Sequence, residues 1–389
     1  MSQGKVYQRI ERFLDEHLEG KLRRTSLKRL SILVIGIMKG ISALPAHIAE
    51  TLNDLGLSEA LTESIERRVR RIENDPAIQV ATCFYPLVRT ILAASHLQSL
   101  VLILDPTTQK DHLVMVSVNA WYRGRALPLA WTIWPGNVPL AGAGYWERIL
   151  ALLETVATLL PAAVRVVLLA DRAFGTPAFT DLVADQGWDW IVRVQDQTVY
   201  RTCKGGEGPI ASLIHFPGQR KKLRGWAFKK AGWREASIVV YWGKRHPKPL
   251  CLVSSLPAQW LLIHCYRQRF PIECFFRDYK SLGWRWEQVQ VRNLDHLQHL
   301  LLGMALAAWL TLLLGAQKAA QILAIPPTGK RHTRPWWAKK SLFRLGLVQF
   351  KTWFRAKEPP ELPTVLPDWA QPNWSAQARA HQARAFVFA

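Results

Sequence analysis

Three carboxylates stand where a chain can do chemistry. Asp105 ends the apolar run "LVLILD", Asp171 ends a second run in "VRVVLLADRAFG", and Glu273 lies in the mixed stretch "YRQRFPIECFFRDYKSLGW". A side chain at the end of a buried strand is rigidly held yet reaches solvent at the sheet edge, where sites are built. Three converging carboxylates repel one another and need cations to stay ionised. Hard divalent ions such as Mg2+ favour carboxylate and water oxygens. Two such ions about 4 Å apart can activate a water or a 3′-hydroxyl and stabilise the leaving oxygen of a phosphodiester. The trio therefore predicts metal-dependent phosphodiester chemistry.

The neighbours of Glu273 suit that chemistry. At about 100° per helical residue, Tyr266, Arg269, Glu273 and Lys280 project within roughly 60° of one another, while Ile272, Phe275, Tyr279 and Leu282 face the other way. Pro271 interrupts this geometry: it either kinks the helix or restarts it as a first residue. Arg269 and Lys280 beside Glu273 would hold a scissile phosphate. The plainer alternative is a solvated charged face, with Glu273 in a salt bridge to Arg269 or Arg277 and the two aspartates as strand-end caps. Arg172, beside Asp171, and Arg193, on the following strand, are candidates either for DNA contact or for ordinary sheet-edge charge.

The elements that must position these residues change along the chain. Residues 1–95 carry apolar residues at helical spacing and are expected to form a helical DNA-binding region. Within it, "LPAHIAETLNDLG" and "LTESIERRVRRIEND" read as two helices about a turn, the second crowded with Arg67, Arg68, Arg70 and Arg71. That basic helix suits a DNA groove or backbone, or is a solvated face. Residues 96–195 predict buried strands, a hairpin about Arg123-Gly124, and the helix "YWERILALLETVATLL". A further strand, helix and strand follow, giving an α/β fold with a mixed sheet flanked by helices. Residues 196–257 predict a β-rich, basic insertion with Trp226, Trp233 and Trp242. Residues 258–320 hold the Glu273 helix and a buried helix, and residues 321–389 a basic, proline-rich tail.

Composition narrows the partners. The 389 residues hold 51 Lys and Arg against 29 Asp and Glu, a net charge of +22, so a polyanion is expected: nucleic acid or an anionic membrane surface. Five scattered cysteines without metal-like spacing fit a reducing cytosol. The charged N-terminus lacks the apolar core of a signal peptide. The run "LLLGMALAAWLTLLLGA", near membrane-spanning length, reads as a core helix. The expectation is a cytoplasmic protein that binds double-stranded DNA and no membrane.

The spacing of Tyr266, Arg269, Glu273 and Lys280 resembles the YREK signature of the insertion sequence 4 family of bacterial DDE transposases. "LILDPTT" and "LADRAFG" resemble that family's two aspartate motifs, and "YRGRALPLAW" its hairpin after the first strand. The resemblance spans about residues 25 to 315. It implies an RNase H-like core, with Asp105, Asp171 and Glu273 as catalytic ligands of two Mg2+ or Mn2+ ions. It also implies excision and reinsertion at terminal inverted repeats by a homodimer on DNA, with Tyr266, Arg269 and Lys280 on phosphates near the cleaved end. Hairpin-forming members stack a flipped base on an insertion tryptophan; Trp242, Trp226 and Trp233 are candidates, with core packing as the alternative. Rival expectations are a nuclease that cuts without joining, a domesticated DNA-binding protein, and a membrane-associated basic protein.

Overall fold

In the computed structural model, residues 2–18, 20–56, 62–72, 75–138, 140, 143–280, 283–323 and 340–367 are described. Apolar side chains at helical spacing fold the first part into α1 (Ser2–His17), α2 (Arg24–Gly40), α3 (Pro45–Asp54), α4 (Thr62–Ile72), α5 (Val80–Cys83) and α6 (Tyr85–Ala94). Val6, Ile10 and Leu14 of α1 and Leu30, Val34 and Ile37 of α2 are fully buried. The α3 and α4 pair lies where two helices were expected, with residues 57–61 of the turn outside the described residues.

A hairpin and alternating units then follow: β1 (Ser99–Gln109), β2 (Leu113–Tyr122), β3 (Arg125–Pro135), α7 (Ala143–Leu159), β4 (Arg165–Ala170), α8 (Pro177–Asp185) and β5 (Asp189–Arg193). Arg123 and Gly124 both take positive φ, 46° and 77°, the backbone that a two-residue turn needs to match strand twist. Leu100 to Leu104 are buried without a break, as in a strand covered on both faces.

Five more strands extend the sheet: β6 (Val199–Thr202), β7 (Glu207–Pro209), β8 (Arg220–Ala227), β9 (Arg234–Tyr241) and β10 (Leu250–Ser254). The whole is one ten-stranded sheet in the order β3-β2-β1-β4-β5-β10-β9-β8-β6-β7. β4 and β5 run parallel to β1, and β10 joins β5 antiparallel. The strands of the basic segment thus continue the central sheet edge to edge.

The β1–β4 ladder ends at Leu104 opposite Ala170, so Asp105 and Asp171 are the next residues on neighbouring strands. One expectation needs correction. β1 does not stop at Asp105, because its hairpin partner β2 carries the pairing on to Gln109 opposite Leu113. Pro106, which has no N–H to give, falls where β1 has already lost its β4 neighbour.

Four helices close the fold: α9 (Leu261–Arg267), α10 (Pro271–Tyr279), α11 (Leu294–Leu323) and α12 (Leu342–Trp353). Side chains alternate between the faces of a strand. Val101, Val167 and Leu169 join Leu261, Leu262, Cys265 and Tyr266 of α9 in a small core. Leu100, Leu102, Leu104 and Leu168 join Ile272, Phe275 and Phe276 of α10 in the main core. The chain therefore crosses between the two sheet faces at residues 268–270.

α11 is long and apolar enough to cross a membrane by composition, yet 94% of its most apolar window is buried within the protein. The Trp309 indole N–H donates to the Pro128 carbonyl at 2.8 Å, fixing α11 to β3. The expected tail is also corrected in part. Phe343, Leu345, Leu347, Phe350 and Trp353 recur at helical spacing and are buried, which docks α12 on the core. Most of "GKRHTRPWWAKK" lies outside the described residues.

Candidate active site

Of the two outcomes expected at Pro271, the restart is found: the stretch from Tyr266 to Lys280 spans two helices, α9 and α10. Pro271 opens α10 as a first-turn residue, where its missing N–H breaks no helical bond. The break puts Arg269 at the crossing point, beside Asp105 where β1 parts from β4. Arg269 Nη1 donates to Asp105 Oδ2 at 2.6 Å, and Nη2 donates to Glu273 Oε1 at 3.0 Å. One guanidinium thus joins two of the three carboxylates.

The third carboxylate has its own partners. Tyr266 donates its hydroxyl to Asp171 Oδ1 at 3.2 Å, and Arg193 Nη1 lies 3.9 Å from the same oxygen. Side-chain exposure grades across the group, from 10% for Arg269 and 14% for Asp105 to 33% for Asp171 and 51% for Glu273. The aspartates form the floor and Glu273 the open rim.

Burial dominates the electrostatics. It pushes the Asp105 carboxyl up from 3.8 to about 6, Asp171 and Glu273 push the same way by repulsion, and the Arg269 cation opposes them. Burial also raises the Tyr266 hydroxyl, which keeps it a donor to Asp171. At Arg269 burial works against the charge, but the surrounding carboxylates and Tyr266 outweigh it and the net shift is upward. Arg269 Nε is buried without a hydrogen-bond partner.

Among the described residues, no three acidic, histidine or cysteine side chains close on one point as a ready metal cage. The donor set is nevertheless the kind Mg2+ or Mn2+ takes, since all three groups are hard oxygen donors. The Arg269 guanidinium sits between two of them.

The remaining candidates are less closely gathered. Lys280, seven residues after Glu273, is the C-cap of α10 with non-helical backbone and lies 3.9 Å from Glu287 Oε1. Arg172 is exposed on the turn directly after Asp171. Arg67 and Arg71 are exposed on α4, and the side chain of Arg68 and all of Leu282 lie outside the described residues. Trp242 closes its own turn by donating to the His246 carbonyl at 2.8 Å. Trp226 and Trp233 both stack on Arg201, at 5.1 and 4.7 Å.

Two features escaped the sequence reading. Phe270 is 63% exposed in the crossing segment, between Arg269 and Glu273. The signal for it was an aromatic residue just before a helix-starting proline, a position that a single continuous helix would have hidden. The second is a buried ion pair from Arg125 Nη2 to Asp278 Oδ2. It joins the first residue of β3 to α10, and no local pattern announces it.

Residues 148–310 match the family model described as the transposase DDE domain. The matched stretch carries Asp171 and Glu273, with Asp105 upstream of it. No curated protein matches the chain. Among solved structures, it is similar to piggyBac transposase in a synaptic complex with hairpin DNA, at 9% identity over 97% of this chain and 81% of that one, TM-score 0.45. It is also similar to human ENDOV, at 15% identity over 50% of this chain and 90% of that one, TM-score 0.26. Both likenesses are too loose to bear on activity.

Proposed function

We propose that this chain is a DNA transposase of the DDE class. Its core would be RNase H-like, and it would cut at the terminal inverted repeats of an insertion sequence and join the freed 3′-hydroxyls to target DNA. The observation that carries this reading is the gathering of Asp105, Asp171 and Glu273 about Arg269, Tyr266 and Arg193 where the parallel strands β1 and β4 part, in a chain with a stretch matching the transposase DDE domain.

Asp105, Asp171 and Glu273 would hold Mg2+ or Mn2+. Bound there, such ions supply an activated water or 3′-hydroxyl and stabilise the leaving oxygen. The chain's own groups do the rest. Arg269 and Arg193 present cationic forks that suit a phosphate, Tyr266 orients Asp171, and Phe270 offers a ring face to an unstacked base. The excess of positive charge, +22 over the chain, draws the DNA backbone in from a distance. Handling two ends together calls for a homodimer on DNA in the cytoplasm, with α4 and the basic outer strands β6 to β9 as further contacts to the duplex.

The decisive experiment follows a labelled fragment carrying the element's ends, with Mg2+ or Mn2+, in the natural chain and in Glu273→Gln. Joined products that vanish in the variant while DNA binding persists support transposition. Cleaved but unjoined products favour a nuclease, and equal binding without cleavage by either protein favours a DNA-binding protein.

A further inference from the structure

Arg269 has two demands on it. Under the function proposed above its fork serves a DNA phosphate, yet in the structure both of its terminal nitrogens are engaged by Asp105 and Glu273, at 2.6 and 3.0 Å. A divalent ion held by Asp105 and Glu273 would draw on the carboxylate oxygens that the guanidinium now occupies. The two cations would compete for the same pair of carboxylates.

Arg269 cannot leave by losing its proton, because guanidinium stays charged in proteins. It can leave only by moving, and movement alone would strand a 90%-buried cation and the buried Asp105 carboxylate. Breaking a buried pair by removing one partner is strongly unfavourable. An exchange of partners avoids that: a phosphate takes Arg269 while a divalent ion takes Asp105 and Glu273. Neither half is favourable alone.

We infer that Arg269 is a tethered counter-ion that couples metal loading at Glu273 to the arrival of DNA. Asp171 stands outside this lock, since its partners are Tyr266 and Arg193. The protein alone is then a poor metal binder at Glu273, and the duplex makes it a good one. Because coupling between two ligands is reciprocal, the ion tightens DNA by the same factor that DNA tightens the ion. Such a lock would keep the cutting centre incomplete until a substrate phosphate is in place.

The inference rests on the metal role proposed for the three carboxylates, and the test separates the two. Free Mn2+ is followed by electron paramagnetic resonance in titrations of the full chain, with and without a short mixed-sequence DNA duplex at low salt, after subtracting ions bound by the duplex alone. For the natural chain the duplex should tighten Mn2+ binding by about 5- to 150-fold, the usual span of coupling between sites. For Arg269→Gln the DNA-free affinity should already be high and the duplex should add little. Arg269→Lys, which keeps the charge but not the fork, should fall between them and guards against a folding failure of the first variant. Equal Mn2+ affinity with and without DNA in the natural chain, or an unchanged DNA-free affinity in both variants, overturns the lock. If Asp105→Asn and Glu273→Gln also leave Mn2+ binding untouched, the metal role itself fails.

Discussion

Arg125 and Asp278 meet as a buried ion pair between the start of β3 and α10, their side chains 10% and 15% exposed. Asp278 lies on the helix that carries Glu273, and the Arg125 guanidinium also lies 5.7 Å from the Phe343 ring of α12. The pair therefore sets the seating of α10 against the sheet and reaches the C-terminal helix. Removing one partner leaves an uncompensated buried charge, so Asp278→Asn or Arg125→Met should each destabilise the fold by roughly 3–5 kcal/mol. The double replacement Arg125→Met with Asp278→Leu should cost much less, because it strands no charge. Urea denaturation of the four proteins measures the difference.

Asp105 makes metal-free stability depend on pH. Its carboxyl is raised from 3.8 to about 6 in the fold, so the folded state binds the proton more tightly than the unfolded one. That contribution is complete below 3.8 and is lost as pH rises through about 6. In the presence of EDTA, the difference in stability between the natural chain and Asp105→Asn should change by roughly 1–3 kcal/mol across this window. A difference that stays flat with pH would contradict the raised carboxyl. Divalent-ion affinity should move the opposite way, weakening below about pH 6 as Asp105 takes up its proton.

How much of this was visible beforehand follows from the range of each interaction. The positions of Asp171, just past the end of β4, and of Asp105, just past the last β1 residue paired with β4, were legible because a strand buried on both faces writes itself as an unbroken apolar run. The helical start at Pro271 was legible as one of two outcomes, since proline suits a first turn. The continuation of β1 through "PTTQ" was not, because it depends on pairing with β2 and not on the residues' own preferences. The joining of β10 to β5 is likewise a long-range pairing. The double bond of Arg269 to Asp105 and Glu273 could be half foreseen: Glu273 is four residues away on the chain, Asp105 is 164. For α12, basic and proline-rich flanks masked a short apolar periodicity that only docking on α11 makes meaningful.

That docking is close enough to test with one methyl group. A side-chain carbon on Gly346 would meet the Thr311 carbonyl of α11, and one on Gly315 would meet the Leu342 carbonyl of α12. Backbone cannot yield as a flexible side chain can, so Gly346→Ala should destabilise the docked helix by roughly 1–3 kcal/mol or more. Limited proteolysis should show earlier cleavage around residues 340–367 than in the natural chain, while the sheet core resists as before. Equal protection of α12 in both proteins would mean the helices part without cost.

Phosphate contact and steering should separate in salt titrations. Each cation that touches a phosphate contributes about one unit to the slope of log affinity against log salt. Arg193→Gln, beside Asp171, and Arg172→Gln, exposed next to it, should each lower that slope by about one if both reach the backbone. A slope unchanged by either variant would assign these arginines to the sheet edge alone.

Phe270 gives the sharpest separation of fold from function. Its ring is 63% exposed, so it buries little and Phe270→Ala should leave stability within about 0.5 kcal/mol. A base stacked on an aromatic ring is worth about 1–3 kcal/mol by alanine substitution, so affinity for DNA with an unpaired end should fall while affinity for an intact duplex holds. Phe270→Trp, which keeps a ring face, should retain that preference. A 2-aminopurine placed at the unpaired end reports the contact directly, because its fluorescence is quenched by stacking and recovers when the ring is removed. Equal fluorescence with natural chain and Phe270→Ala would leave the exposed ring without a role at the DNA end, and the search would move to the tryptophans of β8 and the turn after it.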